Sequence, residues 1–341
     1  MVDTNRENSP FIQFGKEIDL SAESANKDAL IICTKDRPEE LRDTISALLE
    51  GCLEIPSLIV VVDSSDSGES KQELMGLASA LDVRIMYINS KPGLPHQRNV
   101  GAYFVLEHFK SHSKYLFFLD DDVTPTRNYF SNARRIFEEF PEVGVLGGRD
   151  LSLALRGGNR LRAIFGFSRN APRNISSGGF GSPVLSNERL VEALWVPGGM
   201  QTIRGELLLL EAFNGRIRMY GEDVDMHLRL GKHAKVVSSA SLAVLHRSSE
   251  KGKDQPSDLF AYEDAFRWRL GMQYPKLVNP IMVIFTTLIL IAITGFAGLK
   301  STGKRAEFKG HLGFLMRLIL GSAVEQYVSH DEWYVEPPKF G

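Results

Sequence analysis

The first half of the chain alternates two kinds of hydrophobic pattern. Short continuous apolar runs are followed by stretches whose apolar residues recur three and four positions apart. Ala29-Leu30-Ile31-Ile32-Cys33 is the first run. Behind it, Asp36-Arg37-Pro38-Glu39 places acids and a proline where a helix starts, and Leu41, Ile45, Leu48 and Leu49 then share one helical face. Leu58 to Val62 ends at Asp63, Val83 to Ile88 follows a helix marked by Leu74, Leu77 and Leu81, and Tyr115 to Leu119 ends at Asp120. The last of these is preceded by a helix that opens at Pro95 and carries Val100, Phe104 and Leu106. Apolar strands separated by amphipathic helices predict βαβ units and a mainly parallel sheet covered on both faces. Polar residues gather where the strands end, the edge at which open α/β sheets bind ligands.

The pattern changes twice further on. Residues 150–194 are rich in Gly, Ser and Arg with little periodicity, which predicts a long irregular loop beside a site. Val236 to Leu245 then resumes a strand pattern. From Leu277 to Leu299 come 23 residues without a charge, about 34 Å as a helix against a hydrocarbon core of about 30 Å. Arg267, Trp268, Arg269, Tyr274 and Lys276 precede this run and Lys300, Lys304 and Arg305 follow it, a flank suited to a membrane interface. Leu312 to Val324 is a shorter apolar patch carrying Arg317. Three readings stay open: a transmembrane helix, a monotopic or re-entrant one, and a buried helix of a soluble domain.

Composition narrows the class. With 341 residues, 40 Lys+Arg against 42 Asp+Glu and a net charge of −2, nothing indicates a nucleic-acid partner. Cys33 and Cys52 fit neither a disulfide framework nor a metal-ligand spacing. The opening MVDTNRENSP has no apolar leader core, so the chain is expected to start in the cytoplasm. The expected organisation is a loose tail over 1–27, an α/β domain over 28–250 in halves 28–150 and 151–250, and a helical region over 251–341 containing the run 277–299.

The strongest chemical signal is Asp120-Asp121-Asp122 at the end of an apolar strand. Adjacent carboxylates repel and are costly to bury unless something offsets them. In extended chain Asp120 and Asp122 point one way and Asp121 the other. A pair so placed suits Mn²⁺ or Mg²⁺ holding a diphosphate, while a solvated turn before Thr124-Pro125 is the plainer alternative.

Other fragments stand at matching places: Cys33-Thr34-Lys35-Asp36-Arg37-Pro38, Val62-Asp63-Ser64-Ser65-Asp66-Ser67, Gly93 to Gly101 with His96-Gln97-Arg98-Asn99, Trp195 to Met200, and Gly221-Glu222-Asp223-Val224-Asp225. Taken in order, residues 28–248 resemble the family 2 glycosyltransferases of the GT-A fold, a Rossmann-like, mainly parallel sheet flanked by helices. The resemblance implies that Thr34, Asp36, Arg37, Asp63, Arg98, Asn99, Asp120 and Asp121 bind a nucleoside-diphosphate sugar. It also implies that Asp120, Asp122 and His246 hold Mn²⁺ or Mg²⁺. Asp223 would be the general base of an inverting displacement, Glu222 would orient the acceptor or Asp223, and Gly198 and Gly199 would border the acceptor. The chain reads Val-Asp-Ser-Ser-Asp-Ser where many members read Asp-Asp-Gly-Ser, and Asp63 and Asp66 there also suit turn capping. Asp264-Ala265-Phe266-Arg267-Trp268 echoes the QxxRW element of processive synthases without its glutamine.

The implied partners are the donor, a glycan or lipid-linked acceptor, and a membrane surface reached through the C-terminal helix at the cytoplasmic face. Two other readings stand beside this one. Asp120 to Thr124 also fits the first motif of haloacid-dehalogenase-type phosphohydrolases, although that motif normally ends the first strand. The other is an inactive membrane-attached scaffold.

Overall fold

The computed structural model describes residues 11–15, 28–78, 84–108, 114–153, 164–167, 174–184, 187–217, 220–247 and 256–321. Leu81, Val83, most of segment 1–27 and the end of the patch 312–324 lie outside the described residues.

Four parallel strands form the first half of the sheet, in the order β4 (Arg84–Asn89), β3 (Leu58–Asp63), β2 (Ala29–Thr34) and β5 (Tyr115–Asp120). The crossovers are α1 (Pro38–Gly51), α2 (Glu69–Ala78) and α3 (Leu94–His108). Every residue of β2 and β3 is buried. Alternation explains why such strands read as unbroken apolar runs. Leu30 and Ile32 pack with Leu41, Ile45 and Leu48 of α1 on one face, while Ala29 and Ile31 join Ala102, Phe104 and Val105 of α3 on the other.

At the outer edge the expected loose tail contributes a strand, β1 (Phe11–Gly15), antiparallel to β4. An edge strand presents unpaired N–H and C=O groups, and a short extended segment is enough to satisfy them.

Beyond β5 the sheet loses its parallel order. β9 (Met200–Arg204) runs antiparallel to β5, β7 (Val143–Asp150) is antiparallel to β9, and β10 (Lys235–His246) is parallel to β7. Short β6 (Val123–Pro125) and β8 (Val191–Glu192) both pair with β10. α4 (Tyr129–Glu139), α5 (Gly205–Leu210) and α6 (Glu222–Leu230) complete this half. The chain passes from β5 straight into β6, so Asp120, Asp121 and Asp122 form the link between the middle of the sheet and its far edge. Opposite Val123 in the β6–β10 register stands His246.

Three C-terminal helices, α7 (Pro256–Gln273), α8 (Pro280–Gly298) and α9 (Thr302–Ile319), pack on one another. Ala265, Phe266, Val283 and Phe314 from these helices share a core with Trp195 and Val224 from earlier in the chain. Among the described residues, α8 is the one helix long and apolar enough to cross a membrane, by length and composition.

Candidate active site

A cleft of about 630 Å³ opens at the C-terminal ends of β2 and β5. Thr34, Arg37 and Asp121 line one side, and Trp195, Glu222, Asp223 and Phe266 line the other.

On the first side the side chains are paired with one another. Thr34 Oγ1 donates to Asp121 Oδ2 at 2.7 Å and Arg37 Nη1 donates to Asp121 Oδ1 at 2.9 Å. Burial still pushes the Asp121 carboxyl up to about 6, because desolvation outweighs Arg37 and Thr34. Asp36 adopts φ +55°, tolerable for a short polar residue, and its N–H donates to Ser65 Oγ at 2.7 Å. Gln97 Nε2 donates to the carbonyls of Thr34 and Val62, each at 2.9 Å, and so ties the ends of β2 and β3 together.

Asp63 is placed differently from the expectation. It is fully buried and is not part of the cleft wall. Ser65 N–H at 2.8 Å and Ser65 Oγ at 2.6 Å donate to its Oδ1, and Tyr87 Oη donates to Oδ2 at 2.9 Å. Of the serines in Val-Asp-Ser-Ser-Asp-Ser, Ser65 is the one that bonds this carboxylate, and Tyr87 takes its other oxygen. Asn99 also faces inward: Nδ2 donates to Phe213 O at 2.8 Å and Oδ1 accepts from Phe213 N–H at 2.9 Å.

One buried guanidinium joins the two sides. Arg98 Nη1 donates to Glu222 Oε1 at 2.9 Å, and Arg98 Nη2 lies 3.4 Å from Asp120 Oδ1. Gly198 and Gly199 cover this junction. A Cβ on Gly198 would stand 2.6 Å from Arg98 Nη1, and one on Gly199 would stand 2.0 Å from Asp120 Oδ2. Both glycines are therefore required by close approach within the chain.

Asp223 borders the cleft at the first turn of α6. Gly198 N–H donates to its Oδ2 at 3.0 Å and Val224 N–H to its Oδ1 at 2.7 Å. Desolvation first and the neighbouring Glu222 charge second push the carboxyl up to about 7, against the pull of Arg98. Tyr220 (φ +67°) and Gly221 (φ +87°) precede it in left-handed conformations. A Cβ on Gly221 would come within 2.3 Å of the Phe266 ring. Strain at this entry sets the direction of α6 and of the two acids at its start.

These features have counterparts among known proteins. Residues 29–183 match the family described as glycosyl transferase family 2. The chain carries a family 2 glycosyltransferase domain. Solved structures that it resembles include GalNAc-T7 with UDP, GalNAc and Mn²⁺, at 12% identity and a TM-score of 0.54, covering 87% of this chain and 58% of that one. Another is the mannosyltransferase PcManGT from Pyrobaculum calidifontis with GDP-Man and Mn²⁺, at 15% identity and a TM-score of 0.51, covering 92% and 88%. At these identities the likeness is one of fold, the GT-A fold. The chain thus spans just over half the length of GalNAc-T7. No curated protein matches it in sequence.

Asp122 and His246 meet beside the β6–β10 pairing, with His246 Nε2 3.0 Å from Asp122 Oδ1. The Arg247 N–H donates to Asp122 O at 2.9 Å and fixes the approach. Asp120 does not join them: it faces Arg98. Asp150 Oδ2 lies 3.8 Å from the other ring nitrogen, His246 Nδ1, and among the described residues no three His, Cys, Asp or Glu side chains are placed to hold a metal ion by themselves. An imidazole and a carboxylate still fit a divalent cation that completes its shell with diphosphate oxygens and water. Asp120, with its side chain 36% exposed, is the most open of the three acids.

The sequence pattern did not single out His227, Glu263 or Phe266 for this site. His227 is buried with its pKa lowered to about 3 by desolvation, so it is neutral. Its Nδ1 accepts from Val196 N–H at 3.3 Å, and its Nε2 lies 2.6 Å from Gln201 Oε1. The first bond holds the strand-to-glycine turn that carries Gly198. Glu263, Phe266 and Arg267 of α7 line the cleft. The truncated Asp264-to-Trp268 echo was the available signal for Phe266 and Arg267; Glu263 lies just before it.

Proposed function

We propose that this domain is a metal-dependent inverting glycosyltransferase, moving a sugar from a nucleoside-diphosphate sugar to a hydroxyl of a glycan, lipid-linked or small-molecule acceptor. The placement of Asp223 carries the reading. Its carboxylate is held by two backbone N–H groups, borders the cleft and has a proton affinity raised to about 7. That is the range in which a general base works best near neutral pH. Through Glu222 and Arg98 it is tied to Asp120 on the opposite side.

In this reaction Asp223 takes the proton of the acceptor hydroxyl as that oxygen bonds to the anomeric carbon. The bond from that carbon to the diphosphate oxygen breaks on the opposite face, which inverts the configuration. Glu222 keeps Arg98 in place and raises the basicity of Asp223. Thr34, Arg37 and Asp121 hold the loop against which the nucleotide lies, and Gly198 and Gly199 border the acceptor side. A cation at Asp122 and His246 would offset the charge of the departing diphosphate. Uridine and guanosine diphosphate sugars are the first donors to examine, because structures of the same fold hold UDP and GDP-Man. Attachment of the C-terminal helices to the cytoplasmic face of a membrane would bring the domain to a lipid-linked acceptor.

Calorimetry with a panel of donors, with and without Mn²⁺, tests the reading. Asp122→Asn is expected to lose the metal-dependent part of donor binding. Equal donor affinity in Asp122→Asn and the parent protein would sink the metal assignment. Turnover of a phosphomonoester without nucleotide binding would replace the whole proposal with a phosphohydrolase.

A further inference from the structure

α8 is amphipathic in the wrong sense for a soluble domain. Its buried positions are Val283, Thr286, Thr287, Thr294 and Gly298, mostly polar or small. Large apolar residues face outward instead: Ile281 is 75% exposed, Phe296 81% and Leu299 73%, with Phe285, Leu288 and Ile293 also exposed. The threonines face in because a fully buried arginine needs them. Arg267 Nη1 donates to Thr286 Oγ1 at 2.9 Å and Nη2 to Thr287 Oγ1 at 3.1 Å. Arg267 also pairs with Asp264, whose other oxygen lies 2.8 Å from His311 Nδ1 of α9. Outside this network the exposed stripe continues onto Phe165, whose ring stacks with Phe285 at 6.5 Å.

The neighbours of α8 decide what can cover that stripe. α9 runs antiparallel beside it, Phe308 standing against Gly295 and Arg305 against Gly298, with Arg305 Nε donating to Gly298 O at 2.6 Å. If α8 stood upright across a bilayer, α9 would be carried in with it. Lys304, Arg305, Glu307 and Lys309 would then enter hydrocarbon, which charged side chains resist. Lying flat, α8 buries its outer stripe among acyl chains and leaves these charges at the headgroups. Exposed cations at both ends, Lys276 on one side and Lys300, Lys304 and Arg305 on the other, match anionic headgroups.

We propose that α8 docks in the plane of an anionic lipid bilayer through Ile281, Phe285, Leu288, Ile293, Phe296 and Leu299, without crossing it. This deepens the membrane attachment in the proposed function, yet its test requires no donor, acceptor or turnover. Because Arg267 lines the cleft and is bonded to the inner face of α8, the docked helix and the cleft wall form one packed unit.

Full-length protein is mixed with preformed vesicles of phosphatidylcholine and phosphatidylglycerol and separated by flotation. The parent protein is expected to float. The combined variant Ile281→Ser, Phe285→Ser, Phe296→Ser is expected to bind about tenfold or more weakly, given the apolar area removed, with an unchanged melting midpoint. Ser301→Cys, at the far end of α8, is then labelled with a membrane-impermeant maleimide against the parent as background. Labelling of intact vesicles supports the in-plane arrangement. Labelling only after detergent means that the helix spans, and overturns the proposal. Absence of flotation, with a dimer in sedimentation that the triple variant abolishes, assigns the stripe to a second copy and overturns it as well. Donor calorimetry on the same samples separates failure of docking from failure of the glycosyltransferase reading.

Discussion

Asp63 and Asp223 are both acids at the sheet's ligand edge, and the fold treats them in opposite ways. Asp63 sits at a strand end with three donors from its own chain and no exposure. Asp223 has two backbone donors, a like charge beside it and a wall position in the cleft. A carboxylate surrounded by its own donors is a structural fastening; one short of partners and destabilised as an anion retains affinity for a proton. The difference lies in the company each acid keeps, since the residue type is the same.

Substitutions at the two positions should therefore separate activity from stability. Asp223→Asn should reduce transfer about 10²- to 10⁴-fold, the usual worth of a positioned base, while donor affinity by calorimetry stays near the parent value. Loss of donor binding instead would move Asp223 to the donor side. Gly199→Ala, which places a methyl group on Asp120, should reduce transfer about 10²-fold through displacement of that acid, read as a fall in kcat/KM.

The pH profile sharpens the contrast further. With its pKa raised to about 7, Asp223 is protonated and inactive as a base at lower pH, so the rate should fall about tenfold per unit below 7. Glu222→Gln removes a charge that raises this pKa, so the limb should move to lower pH; an unmoved limb would assign it to another group. The same shift has a cost for stability. An acid whose folded pKa lies above its ordinary 3.8 contributes stability at low pH that is lost as pH rises towards 7. Asp223→Asn should accordingly raise the melting midpoint above pH 7.

The smallest effect on activity is expected at the other acid. Tyr87→Phe removes one donor from buried Asp63 and should cost about 1–3 kcal/mol in chemical denaturation. Donor affinity and kcat should stay within about twofold of the parent. A selective loss of donor affinity would return Asp63 to the binding site.

Particular residues show why some of this was legible beforehand. β2, β3 and β5 announce themselves because buried parallel strands are apolar along their length, and the acids that end β3 and β5 mark the ligand edge. β7 and β9 carry no such signature. The position of β9 between β5 and β7 follows from pairing across 81 or more residues of chain on the β5 side and 54 or more on the β7 side. Charge type was likewise readable, but pairing was not. Asp120 and Asp122, two residues apart, were expected to act on one cation, yet the turn into β6 gives Asp122 to His246 and leaves Asp120 facing Arg98.

The sequence alone determined the family 2 domain, the parallel strands, the acidic edge and the presence of one membrane-length apolar helix, because each is written in local pattern or short motif. Tertiary structure decided which carboxylates are saturated, that a buried Arg98 links Glu222 to Asp120, and that α8 turns its threonines inward onto Arg267. Those outcomes depend on which distant groups arrive within hydrogen-bond distance and on how much water they exclude. Neither quantity is a property of neighbouring positions along the chain.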